Sequence, residues 1–270
     1  RDSDPLRRPA PPDGVGVDLA VYAADRDRIL ADTARPAIAG YREVLATEVR
    51  PHGRPVEKPG LCWLPGGDEI YSALIRVHTT TDLSADDLHR TGLEQVARLA
   101  EEYVSIGSRA FGTTDLAEVF ARLRDDPALR WSNGDELLNS ARATIARAEA
   151  AAPRWFGKLP SQGCVVEPVP ADEAPGAAGA YYMLPALDGS RPGIYYANTH
   201  KADERERYIS ESTAFHEAVP GHHFQLTLSL ELTDLPMLRR LAPVTAYSEG
   251  WGLYAERLAD EMGLYSDDVA

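Results

Sequence analysis

The chain has 270 residues, enough for one large domain or two small ones, and 44% of them are hydrophobic, so a sizeable core can form. A net charge of −14 with a pI near 4.9 argues against a nucleic-acid partner, which would need a basic stripe. No apolar run approaches the ~18 residues of a membrane span. The two cysteines, Cys62 and Cys164, lack metal or redox spacing and read as buried free thiols, with a single disulfide as the alternative.

Residues 1–16 are rich in Pro, Arg and Asp and read as an extended lead-in to a helical region over 17–158. Leu19, Tyr22, Ile29, Ile38, Tyr41 and Leu45 recur at helical steps up to about Val49. Pro36 inside this run predicts a kink or a break into two helices. Residues 50–68 hold Pro and Gly at short intervals and read as a loop, while 69–81 fit helix or strand. Ser84 is the best N-cap of a long helix reaching about Gly107, with Leu88, Leu93, Val96, Leu99 and Tyr103 on its apolar side. A shorter helix is expected over Asp115–Asp125. Another should run from about Gly134 to Ala151, with Leu137, Leu138, Ala141, Ile145 and Ala148 on one face.

The texture changes near Pro153, and residues 159–270 read as a small sheet followed by helices. Strand-type runs fall at Cys164–Val169, Tyr181–Leu184 and Gly193–Asn198, the last two separated by the turn pair Asp188-Gly189. The expected fold class is therefore mainly α with a small antiparallel β-sheet. Tyr195 and Tyr196 read first as sheet packing, and His52, His78 and His89 as structural histidines. Helical character returns from about Glu204.

Thr213–Gln225, TAFHEAVPGHHFQ, holds three of the chain's seven histidines. A catalytic zinc takes three protein ligands and leaves one position for water. The common solution is HExxH on a helix, with the Glu as base. Here the residue four beyond His216 is Pro220. On a regular helix His222 would lie roughly 240° around from His216 and about 9 Å along, and His223 about 10.5 Å away on the same face. Neither could share a metal with His216. Pro220 lacks an N–H and clashes with the carbonyl of His216, and Gly221 can take conformations closed to other residues. A bulge there would bring His222 to the place of the second histidine, with His223 the alternative. Tyr247–Glu256, YSEGWGLYAE, offers the third ligand: Ser248 could cap a helix starting at Glu249, with Glu256 on the same face. The result would be a His216/His222/Glu249 site with Glu217 as general base.

These two motifs strongly resemble the bacterial family catalogued as domain of unknown function 885, in which HE-x-x-PGHH-x-Q and EGW-x-LYxE occur together. The stretch GGDEIYSALIRVHTTTDLSADDLHRTGLEQV and the run PGIYYANT are similar too, so the likeness covers roughly Gly60 onward. That family looks like gluzincin metallopeptidases, similar in layout to thermostable carboxypeptidases and oligopeptidases. The resemblance implies a helical metallopeptidase architecture with Zn2+ on His216, His222 and Glu249, and Glu217 as catalytic base. It makes Gly193–Asn198 a substrate-aligning edge strand, with Tyr195, Tyr196 and His223 as substrate-binding candidates. Family members run well past the second motif, whereas this chain stops about twenty residues after Glu249. It begins at Arg1 without a methionine and is expected to be a piece of a longer, incomplete chain, with a cytoplasmic site slightly favoured. The expectation for such a fragment is that metal binding survives even where activity is lost. The expected function is zinc-dependent hydrolysis of peptide bonds with exopeptidase character. The alternatives are a metallohydrolase of a small non-peptide amide or ester, and a non-catalytic helical binding or scaffold module with a degenerate metal site.

Overall fold

The computed structural model describes residues 4–11, 14–242 and 244–270. It groups into two compact units, Arg1–Ile70 and Tyr71–Ala270, each considered by itself.

In the first unit, Asp18 caps α1 (Leu19–Ile29) by accepting from the Ala20 and Val21 N–H groups. A π-helical turn, Leu30–Ala34, leads into α2 (Arg35–Val44), and a second such turn follows at Leu45–Val49. The run is thus divided into two helices just before Pro36, which stands in the first turn of α2, where a missing N–H is least costly. Cys62, expected to be buried, is exposed.

The unit boundary falls inside α3 (Gly67–Thr79), so the ambiguous stretch is helix. Next comes α4 (Ala85–Ala110), whose Ser84 cap forms a full capping box with Asp87. Asp115 caps α5 (Leu116–Asp125) and Asn133 caps α6 (Gly134–Ala151). The face expected on α6 is the buried one: Leu137, Leu138, Ala141, Ile145 and Ala148 are all below 9% exposed. By contrast Leu93, Val96, Leu99 and Tyr103 of α4 are 41–65% exposed, so periodicity located that helix but not a covering layer for it.

Three strands follow: β1 (Cys164–Pro168), β2 (Ala180–Met183) and β3 (Gly193–Ala197). Their order is β1-β3-β2, with β1 parallel and β2 antiparallel to β3. The sheet is thus mixed, not antiparallel, and Gly193–Ala197 is its central strand, not an edge. Burial explains this. Ile194, Tyr195 and Ala197 are each at most 8% exposed, so β3 is covered on both faces, which suits a central strand. Asn198 ends β3 inside the protein and donates to the carbonyls of Ala174, Ala177 and Ala178, which fastens the Pro/Ala/Gly loop. Cys164 is partly covered, and burial, reinforced by the nearby Glu149, pushes its thiol up to about 12.

The chain then forms α7 (Ser210–Glu217), α8 (His222–Leu230), α9 (Met237–Leu241) and α10 (Thr245–Glu261). Side chains of α6, β1, β3, α7 and α8, with Ala259 and Leu264, share one apolar core. That core fixes α7, and α7 carries the first histidine of interest. Among the described residues, no helix is long and apolar enough to cross a membrane.

Candidate metal centre

The helix does not bulge at Pro220; it breaks. Ala218 leaves helical geometry at φ −108°, ψ −100°, and a new helix begins at His222. The Val219–Pro220 peptide is cis. Gly221 is required by contact, not by a left-handed backbone: its φ is −80°. A Cβ there would lie 1.8 Å from the His216 carbonyl oxygen and 2.3 Å from that of Phe215. The break turns the chain so that the His216 and His222 rings meet edge to face, 4.7 Å between centroids.

Helix α10 brings the third group. Glu249 Oε2 lies 3.4 Å from His216 Nε2 and 3.7 Å from His222 Nε2. One donor atom from each residue falls within 4.8 Å of the others. Two atoms bound to one tetrahedral zinc sit about 3.4 Å apart, so the two Glu–His spacings and the His₂Glu donor set fit the ion. Ser248 does not cap this helix. It lies inside α10, with its hydroxyl on the Val244 carbonyl.

Three residues of the second motif had no assigned role in the sequence. Glu256 Oε1 lies 2.7 Å from His216 Nδ1. A carboxylate only accepts, so Nδ1 carries the hydrogen and Nε2 presents its lone pair to the cluster. The signal was the seven-residue step from Glu249, which puts both carboxylates on one face and, here, on the two nitrogens of one ring. Gly252 supplies the room: a Cβ there would lie 2.5 Å from both Cε1 and Nε2 of His216. Trp251 donates from Nε1 to the Pro220 carbonyl at 2.9 Å, tying α10 to the break. Farther back, Glu211 accepts from Arg147 at 2.7 Å and from the Ser266 N–H at 2.8 Å, which anchors α7.

Glu217 accepts from the Tyr182 N–H at 3.1 Å. Burial raises its pKa, the neighbouring His216 and that N–H pull it down, and Glu249 pushes it up. His222 is held low, first by burial and then by His216. His223 points elsewhere. It is 2% exposed, its Nδ1 is 2.9 Å from Tyr182 Oη and 3.2 Å from Thr227 Oγ1, and burial lowers it to about 4. Tyr195 is in the core at 3% exposure, and Tyr196 stacks on Tyr181 with centroids 5.1 Å apart. So the structure gathers His216, His222, Glu249 and Glu217, and leaves His223, Tyr195 and Tyr196 outside the cluster. His78 meets Thr245, whereas His52, His89 and His200 are exposed.

A mainly helical frame presenting a His₂Glu group beside a held carboxylate is the class of protein that fold and site define. The chain belongs to the family described as bacterial protein of unknown function (DUF885), whose sequence profile matches residues 10–270. Among solved structures it is similar to one described as "the putative lipoprotein from Colwellia psychrerythraea", at 30% identity and a TM-score of 0.83. The match covers 92% of this chain and 43% of the other, so this chain spans less than half of that protein's length. A search of curated proteins finds no match.

Proposed function

We propose that the protein is a zinc-dependent hydrolase of amide bonds, with a peptide as its substrate and gluzincin-like chemistry at the cluster. The convergence of His216, His222 and Glu249 beside Glu217 carries this reading. A zinc ion bound there would act as a Lewis acid toward the substrate carbonyl and activate water. The chain's own residues do the rest. Glu256 and Gly252 fix which nitrogen of His216 faces the site. One oxygen of Glu217 is engaged by the Tyr182 N–H, which leaves the other to take a proton from water and pass it to the leaving amine. Desolvation raises the basicity of that carboxylate, in the direction a base needs. With β3 in the centre of the sheet, the strand beside Glu217 with an open edge is β2, and a substrate backbone would align there.

Metal analysis and turnover of short peptides with free and blocked ends test the proposal. Purified protein is expected to bind one zinc per chain. Glu217→Gln should keep the zinc and lose turnover by roughly 10²- to 10⁴-fold, since Glu217 is a base and not a ligand. Absence of zinc from the wild type after loading would sink the reading. Unchanged function in Glu217→Gln would favour a non-catalytic binding module.

A further inference from the structure

The paired histidines of the first motif do different things. Neighbouring residues on a helix point about 100° apart, and here the step from His222 to His223 turns from the metal cluster to the sheet. His223 meets Tyr182 of β2, and Tyr182 is the residue whose N–H engages Glu217. We propose that Tyr182 and His223 are positioning residues for Glu217: the Tyr182 side chain is seated on α8 by His223 and Thr227, and this fixes the main-chain N–H that holds the carboxylate. The inference rests on the proposed reading of Glu217 as the base.

Three observations support it. Tyr182 bridges two elements with its two ends: the N–H reaches Glu217 of α7 at 3.1 Å, and Oη reaches His223 at 2.9 Å and Thr227 at 3.2 Å on α8. The strand that carries it is short and sits at the sheet edge, paired to β3 on one side only, so β3 alone does not set its depth. The seat is also closed. A Cβ on Gly193 of β3 would lie 2.5 Å from Tyr182 Oη and 2.8 Å from His223 Nδ1, so the β3 backbone itself forms its wall. A tyrosine confined in this way holds its own N–H still, and with it the carboxylate. Displacing a catalytic group by about 1 Å can cost 10²-fold in rate.

Tyr182→Phe, His223→Ala and His223→Gln test this, with Val119→Ala as a core variant remote from the cluster. Each is assayed with the short peptides and by metal analysis. His223→Ala should lower kcat roughly 10- to 100-fold, with KM within about twofold and zinc content unchanged. Tyr182→Phe should lower kcat about tenfold, and His223→Gln should recover most of the His223→Ala loss. Val119→Ala, compared at matched loss of melting temperature, should keep its kcat. A kcat within about twofold of wild type in His223→Ala and Tyr182→Phe would overturn the proposal, as would equal losses in Val119→Ala. Should the wild type turn over no peptide, amide exchange at Tyr182 decides independently of the hydrolase reading. Exchange should be slow in wild type and about tenfold faster in His223→Ala; an unchanged rate overturns the inference.

Discussion

His216 on α7 and Glu249 on α10 face each other across the cluster, but the protein holds them very differently. His216 is braced through Nδ1 by Glu256, walled by Gly252, and carried on a helix tied down through Glu211. The Glu249 side chain is 55% exposed, and its close ionic contacts among the described residues are the two histidines. His222 lies between these extremes: it is buried, yet its Nδ1 has no hydrogen-bond partner among the described residues. In the proposed zinc site, the braced imidazole would set position while the half-exposed carboxylate would adapt to the ion. Rigid placement of one first ligand, supported from behind, is where metal-site precision originates.

The largest expected effects break the cluster from its two sides. His216→Ala should lose zinc affinity on the order of 10³-fold, a quarter or so of the binding free energy of a four-ligand site. Glu249→Asp, on the adaptable side, should lose only about tenfold, because a half-exposed carboxylate can move to meet the ion. Equal losses measured with a competing chelator would erase the distinction between the two ligands. Next in size is the brace itself. Glu256→Ala keeps all three ligands but frees the His216 ring, and should cost 10- to 100-fold in zinc affinity.

Two glycines of α10 sharpen the comparison further. At Gly252 an added methyl would press on the His216 ring at 2.5 Å, and at Gly250 it would meet nothing within 4 Å. Gly252→Ala should therefore destabilise by about 1–3 kcal/mol and weaken zinc binding. Gly250→Ala, which only improves helix propensity, should stabilise by up to about 1 kcal/mol. Chemical denaturation of both variants checks the signs, and a stable Gly252→Ala would show that His216 is less confined than its contacts suggest.

What was legible in the sequence follows the same division between local and distant causes. The Ser84 cap and the apolar face of α6 are written in neighbouring residues, and both are present. The motif residues His216, His222 and Glu249 were legible as a group because helix geometry ruled out a straight HExx-PG-H helix, although the expected device was a bulge and the chain uses a break. The form of the break was not legible, because Gly221 is needed for contact with carbonyls that only the folded turn brings near. The parallel pairing of β1 with β3 joins segments separated by β2 and its flanking loops, and no local signal marks it. Glu256 and Gly252 lie in plain sight in the second motif, yet their roles depend on a ring supplied by another helix. Tyr182 acts toward Glu217 through its main chain, which side-chain chemistry cannot announce.

The smallest expected effect concerns the imidazole behind the cluster. His223 is 2% exposed and lowered to about 4, chiefly by burial, so the folded protein holds it neutral at pH values where the unfolded chain protonates it. The unfolded group titrates near 6.5. Between about pH 6.5 and 4 the unfolded state therefore binds more protons, and stability must fall as pH falls through that window. From pH 6.5 to 5.5 the loss should be on the order of 1 kcal/mol. His222 is shifted in the same direction, so it adds to the slope in zinc-free protein. Urea unfolding of the zinc-free protein at these two pH values should show that loss in wild type and a smaller one in His223→Gln, from which the His223 share is gone. An identical slope in the two proteins would mean that His223 is solvated or protonated in the fold. The closed seat that Gly193 and Tyr182 form around it would then be looser than the 2.8 Å and 2.9 Å approaches describe.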